Sequence, residues 1–158
     1  SLTLLNQASL SKEQYTSEYF KNKNYRIKKL KESLSLRYQP SSAMRFELGY
    51  EYADKSNIWG TEKAIQHRVN LEVHLSRISQ FRIKGKGSYI YFDYNAPVNT
   101  PVAYQMLQGL NPGNNATWSL RLQKQLYKNL DLNLNYSGRT SRNHPTIHAG
   151  QVELRASF

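Results

Sequence analysis

The groups in this chain whose types and spacing invite chemistry are its four histidines and the carboxylates near them. His144 and His148 stand four residues apart, the spacing at which two imidazoles on a helical turn can share a metal ion. Pro145 lies between them and a strand starts directly after, so a helical metal pair is not expected. His74 falls on the polar side of an alternating segment, near Glu72 and Arg68. There it reads as a hydrogen-bonded packing residue rather than a base. No Ser, His and Asp set is marked out by spacing. Cysteine is absent, which removes a disulfide framework and thiolate metal sites. No catalytic residue, metal ligand or cofactor is expected from the sequence. Asn115-Ala116-Thr117 has the form of a glycosylation acceptor, a three-residue match that carries no weight by itself.

Charge offers a second kind of chemistry. Lys and Arg number 22 against 11 Asp and Glu, a net charge of +11, and there are 12 tyrosines. Basic residues with aromatics invite a nucleic-acid reading. Here, however, the basic residues are spread through every segment rather than gathered in one patch. A basic polar face, or affinity for anionic lipid and lipopolysaccharide, is expected instead of nucleic-acid binding.

The elements that position these groups are strands. At 158 residues, with 39% hydrophobic content, the chain is read as one domain or a piece of a larger one, and no stretch approaches the roughly 20 apolar residues of a membrane helix. What recurs is alternation with a period of two. Leu2, Leu4, Ala8 and Leu10 mark a first strand. Lys29 to Gln39 sets Leu30, Leu34, Leu36 and Tyr38 against Lys29, Lys31, Ser33, Ser35 and Arg37. Ala43 to Ala53 sets Met44, Phe46, Leu48, Tyr50 and Tyr52 against Arg45, Glu47, Gly49 and Glu51. Ala64 to Ser76 sets Ile65, Val69, Leu71, Val73 and Leu75 against Gln66, Arg68, Asn70, Glu72 and His74. Further strands are expected over Phe81 to Asp93, Thr117 to Leu126 and Leu130 to Arg139. The last runs from His148 to Phe158, with Val152, Leu154, Ala156 and Phe158 on one face. His67 and Lys124 fall on apolar faces and are expected near an interface, where a lysine can snorkel. Gly85 and Gly87 also fall there, and mark a bend or a close neighbour.

The connections alternate in length. Pro40 to Ser42, Arg77 to Gln80 and Tyr127 to Asn129 are tight, whereas Ser11 to Lys28, Asp54 to Lys63 and Tyr94 to Ala116 are long and Thr140 to Thr146 is intermediate. Transmembrane barrels have this asymmetry, with short turns on the periplasmic side. The aromatics are sorted by height. Tyr50, Tyr52, Tyr89, Tyr91, Trp118 and Tyr136 lie near one end of the apolar face, and Tyr38, Phe81 and Phe158 near the other, as in the girdles of a membrane barrel. Within the longest loop, Thr100-Pro101 reads as an N-cap and first helical residue, with a short helix over Val102 to Gln108 ended by Gly109. It is read as a plain loop helix in preference to a cap over the barrel mouth or a contact for a partner.

The stretch from Tyr104 to Gly113, with Trp118, Lys128-Asn129-Leu130, Tyr136-x-Gly138-Arg139-x-Ser141 and Ile147-His148-x-Gly150 to Phe158, resembles the C-terminal end of large outer-membrane proteins of Bacteroidota. The resemblance covers about a third of the chain, with looser similarity at Gln39-Pro40-Ser41 and Asp54-Lys55. It implies a barrel, an outer-membrane address and insertion by the barrel-assembly machinery reading the final strand. It supplies no catalytic residues. No secretory leader is recognisable at Ser1, so the chain reads as mature or as part of a longer polypeptide.

The expectation is therefore an all-β fold, an antiparallel transmembrane β-barrel of about eight strands or the C-terminal part of a larger one. Its function is that of a structural or accessory subunit, or the barrel portion of a transport or export assembly, with lipid, lipopolysaccharide and other outer-membrane subunits as partners. Arg37, Arg45, Glu47, Arg68, Glu72, Arg82, Lys84, Arg121, Asp131, Arg139, Glu153 and Arg155 face the interior. They form a paired plug if eight strands close, or line water and select anions if the wall is larger. The alternative is a soluble lipocalin-like barrel, which requires the Leu/Tyr face to point inward. An outer-membrane hydrolase ranks third.

Overall fold

Alternation of this kind gives one continuous sheet. In the computed structural model, which describes residues 1–19, 24–78, 81–142 and 144–156, eight strands pair in the order β1-β2-β3-β4-β5-β6-β7-β8, every neighbour antiparallel. They are β1 (Leu2–Tyr15), β2 (Tyr25–Ser41), β3 (Met44–Asn57), β4 (Lys63–Ile78), β5 (Phe81–Tyr94), β6 (Gly113–Tyr127), β7 (Leu130–Ser141) and β8 (Ile147–Ala156). One helix, α1 (Pro101–Met106), interrupts the connection between β5 and β6.

The eight expected strands are all present, most of them longer than alternation alone suggests. The first continues from Leu10 to Tyr15, pairing Tyr15 with Tyr25 and stacking the two rings at 5.9 Å. The third continues past Ala53 to Asn57, which shrinks the expected loop to residues 58–62. Each extension follows the partner: once β2 and β3 are in register, extending the ladder satisfies backbone groups that would otherwise need water. Two tight turns lie at one end of the sheet, at Ser42-Ala43 and Lys128-Asn129, and the longer connections at the other. The tight turn expected at Arg77 to Gln80 centres on Ser79 and Gln80, which lie outside the described residues.

Over β2, β3, β4 and the α1 end of β5, the two faces of the sheet differ in an unusual direction. Along β2 the apolar side chains Leu30, Leu34, Leu36 and Tyr38 are the exposed ones, while Lys29, Lys31, Ser33, Ser35 and Arg37 between them are half-buried. Leu34 is 47% exposed, whereas Glu51 on the polar face is 8% exposed and Gln66 is fully buried. A flat, uncovered sheet would expose both faces alike, so the sheet curls toward its polar side.

Helix α1 lies on that polar side. Thr100 caps it, its hydroxyl accepting from the Ala103 amide at 3.0 Å, and Pro101 takes the first helical position. The helix ends at Met106, with Leu107 as C-cap and positive φ at Gln108 and Gly109. It is not a plain loop helix: Val102, Ala103, Met106 and Leu107 are buried. They pack against Ile27, Ala64, Ile90 and Phe92, with Tyr25, Tyr94 and Leu110 around them. The only apolar cores among the described residues are thus on the polar face, at the end with the long connections.

The expected closure into a barrel is not found. Among the described residues no ladder joins β1 to β8, and both strands are exposed along almost their whole length. Eight closed strands enclose only side chains or one small ligand, and here α1 takes up space on the polar side at the end with the long connections.

Candidate functional site

The polar face carries the titratable groups, and strand register decides which of them meet. Under α1 they form one chain of hydrogen bonds. The Lys31 ammonium sits 2.6 Å from the Glu51 carboxylate, and the Gln66 amide donates to the other Glu51 oxygen at 2.9 Å. The Gln66 carbonyl accepts from Lys55 at 2.8 Å, and Lys55 also donates to the Met106 carbonyl at the end of α1, at 2.5 Å. The Lys55 ammonium lies 5.1 Å from the centre of the Phe92 ring, a cation–π arrangement. Lys55 is 3% exposed, a burial tolerated by a lysine only when its donors are used. Further ties run from Arg68 to Gln108 and from Gln105 to Glu13 on β1, at 2.5 Å for the latter. Bonds and packing together connect α1 and the residues just after it to β1, β2, β3, β4 and β5. Four inter-strand gaps of about 4.8 Å would be too wide for a six-residue helix of about 9 Å on a flat sheet, which is a second sign of the curl.

Below the helix the charges fall in rows across the strands. One row runs Arg37, Glu47, Glu72, Lys86. It is balanced, with Arg37 donating to Glu47 at 3.0 Å and Lys86 lying 2.8 Å from Glu72. The next row toward the tight turns runs Arg45, His74, Lys84, Arg121, Asn135, Gln151, and contains no acid. Nearest the tight turns lie Arg82, Asp131, Glu153 and Arg155, with Arg155 paired to Glu153 at 3.3 Å. Arg139 lies at the opposite end of β7, facing Thr117 and Ile147. All twelve of the sequence-assigned interior charges are therefore on the polar face. His74 is near Glu72 as expected, at 3.4 Å, but its closer partner is Arg45, at 3.0 Å, and not Arg68. Register places Arg45 directly opposite it, while the Arg68 guanidinium is turned toward Gln108.

No protein-family model matches the chain, and no curated protein matches it. The site has to be read from its own geometry.

On the exposed apolar face, the aromatics gather around the polar residues that the sequence set there. His67 is surrounded by Tyr50, Tyr52 and Tyr91, and the Tyr50 hydroxyl meets its Nδ1. Lys124 lies 4.5 Å over the ring of Phe81, and Tyr38 stacks on Phe46. Trp118 and Tyr136 flank His148, while Tyr89 stands exposed on β5. His148 thus belongs to an aromatic cluster and His144 to the connection before β8. Among the described residues no three His, Cys, Asp or Glu side chains are placed to hold a metal ion. Val152, Leu154 and Ala156 line the apolar face of β8 opposite Leu134, Leu132 and Leu130. Phe158, the fourth residue of the expected insertion signal, lies outside the described residues.

Sequence reasoning missed Lys55 and Asn115, and ranked a plain loop helix above the docked one that the structure shows. A signal was present: Ile27, Ile90 and Phe92 break the polar side of the alternation at one end only. Asn115 is buried, its amide donating to the carbonyls of Asn111 and Gly113, and so fixes the return from α1 into β6.

Proposed function

We propose that this chain is a section of the wall of a bacterial outer-membrane β-barrel, non-enzymatic and serving a transport or export assembly. Its Leu/Tyr face would lie against lipid and lipopolysaccharide, and its polar face toward an aqueous lumen narrowed at one end by α1. The observation that carries the reading is the inversion of exposure. Over β2, β3, β4 and the α1 end of β5, large apolar side chains cover the outside of the curl, while the ion pairs and buried amides lie inside it. In water such an exposed apolar surface is far larger than a soluble protein tolerates. In a bilayer it is the expected alternation of a spanning strand. The free edges of β1 and β8 favour a section of a larger wall over an eight-stranded barrel closed on itself. Insertion would fall to the barrel-assembly machinery, acting on β8. The same inversion speaks against a soluble lipocalin-like carrier, whose apolar face would be the inner one.

Brominated lipid provides the test. With Trp59→Phe, Trp118 on the apolar face is the remaining tryptophan. Refolded into bilayers, the chain is expected to lose most of its Trp118 emission to lipids brominated near the headgroup. A chain that disperses in buffer without detergent, and whose emission brominated lipid does not quench, overturns the proposal.

A further inference from the structure

The row Arg45, His74, Lys84, Arg121 has a charge pattern that packing alone does not explain. Lys84 and Arg121 are directly opposite each other on β5 and β6, side by side on the same face. Like charges in that relation destabilise a sheet. The neighbouring row shows how the same sheet settles charge elsewhere, with each cation beside a carboxylate. Here the nearest acid is Glu72, whose carboxylate lies 3.9 Å from Lys84 but is already held by Lys86 at 2.8 Å. Arg121 spends its Nε on the neutral Asn135 side chain, at 2.8 Å. Arg45 bonds His74, and its Nε is shielded from solvent without a partner.

Space lies on both sides of the pair. One hollow of about 350 Å³ is lined by Arg45, His74, Arg82, Lys84 and Arg121. A second, of about 610 Å³, is lined by Lys84, Lys86, Arg121, Ser119, Asn135 and Gln151. Lys84 and Arg121 form the ridge common to both. An ammonium and a guanidinium on adjacent strands, now turned to Glu72 on one side and Asn135 on the other, are flexible enough to close on a phosphate or sulfate group, with hydroxyl and amide donors beyond them.

We propose that Lys84 and Arg121 are the centre of an oxyanion-binding site on the polar face, taking the phosphate or sulfate group of a solute. The proposal rests on the reading of that face as the aqueous one and adds its ligand class. An occupant bearing two negative charges would turn the Lys84–Arg121 repulsion into a shared clamp. Arg82 closes the site toward the tight turns, Lys86 closes it toward α1, and Arg45 lies at the end of the same row beyond His74.

The test uses the chain in detergent micelles at low ionic strength, titrated calorimetrically with inorganic phosphate and, separately, with sulfate. Saturable binding is expected for the native sequence. Lys84→Gln or Arg121→Gln is expected to weaken it roughly tenfold, the loss of one charge-assisted hydrogen bond. Arg155→Gln removes the same charge from a pair with Glu153 and is expected to leave binding unchanged. Arg121→Glu places opposite charges across β5 and β6, so it is expected to raise the unfolding midpoint while abolishing binding, a trade-off typical of functional sites. Absence of saturable binding by the native sequence, or equal weakening by Arg155→Gln, overturns the site. Dispersal of the chain without detergent would end the membrane reading but leave this titration valid.

Discussion

The Tyr50 hydroxyl lies 2.7 Å from Nδ1 of His67 across β3 and β4, on the exposed apolar face of the sheet. Tyr136 and His148 repeat the relationship across β7 and β8, at 2.8 Å and with the rings stacked 14° from parallel. An imidazole packed among aromatic rings needs a partner for its polar nitrogens. In both places a tyrosine in the aromatic row supplies it, and Trp118 adds its indole N–H to the Tyr136 hydroxyl at 3.4 Å.

Removing either hydroxyl leaves an imidazole nitrogen unserved. Tyr50→Phe and Tyr136→Phe are each expected to destabilise the folded chain by about 1 kcal/mol. Urea unfolding in detergent, followed by β-sheet circular dichroism, measures it. Midpoints that do not move in either variant would show that the pairs contribute nothing to stability.

Glycines on the apolar face make opposite predictions. A methyl group at Gly138 would come within 2.3 Å of the Trp118 ring, which lies over that position. Gly138→Ala is therefore expected to cost roughly 1–3 kcal/mol as the indole is forced aside, with a shift in Trp118 emission. At Gly85 and Gly87 nothing lies within 4 Å of an added methyl group. Alanine there is expected to stabilise by up to about 1 kcal/mol, because glycine loses more chain entropy on folding. The sequence marked these two as a bend or a close neighbour; the structure shows open space above them.

Docking of α1 depends on Met106, which is fully buried and whose carbonyl holds Lys55. Met106→Ala is expected to cost about 2–5 kcal/mol if the site cannot collapse around the gap. The change should also uncover Lys55. Its rate of acylation by an amine reagent, read by mass spectrometry, is expected to rise relative to exposed Lys84. An unchanged Lys55 rate in the variant would mean that the helix does not protect it.

Much of the sheet was legible because a strand writes its two faces into every second residue. Leu34 against Ser33, or Leu48 against Glu47, suffices to assign sides without knowing the partner strand. The side on which the tight turns lie followed from loop length alone. Strand ends were less legible: β1 between Ser11 and Tyr15 has no strong alternation of its own and is extended by pairing with β2. The helix dock was hidden for a different reason. Ile90 and Phe92 read as lapses in a polar face, and only the fold shows that α1, more than ten residues downstream of Ile90, comes back to cover them. The basic row was invisible as a row, since Arg45, His74, Lys84 and Arg121 come together through register and not through sequence spacing. Closure could not be read from alternation at all, because a curled open sheet and a sealed barrel present identical strands.

Among the described residues all seven ladders join strands that are neighbours in the chain, and no ladder covers either outer edge. Such a sheet has no crossover to tie its ends together, so each hairpin is a self-contained module. A tandem duplication of one hairpin within the gene would insert two strands and shift none of the existing pairings. The new strands would arrive with their apolar and polar sides already matched to their neighbours. If the sheet is the wall proposed above, its circumference would be an inherited count of hairpins, and pore size would evolve by copying rather than by redesign.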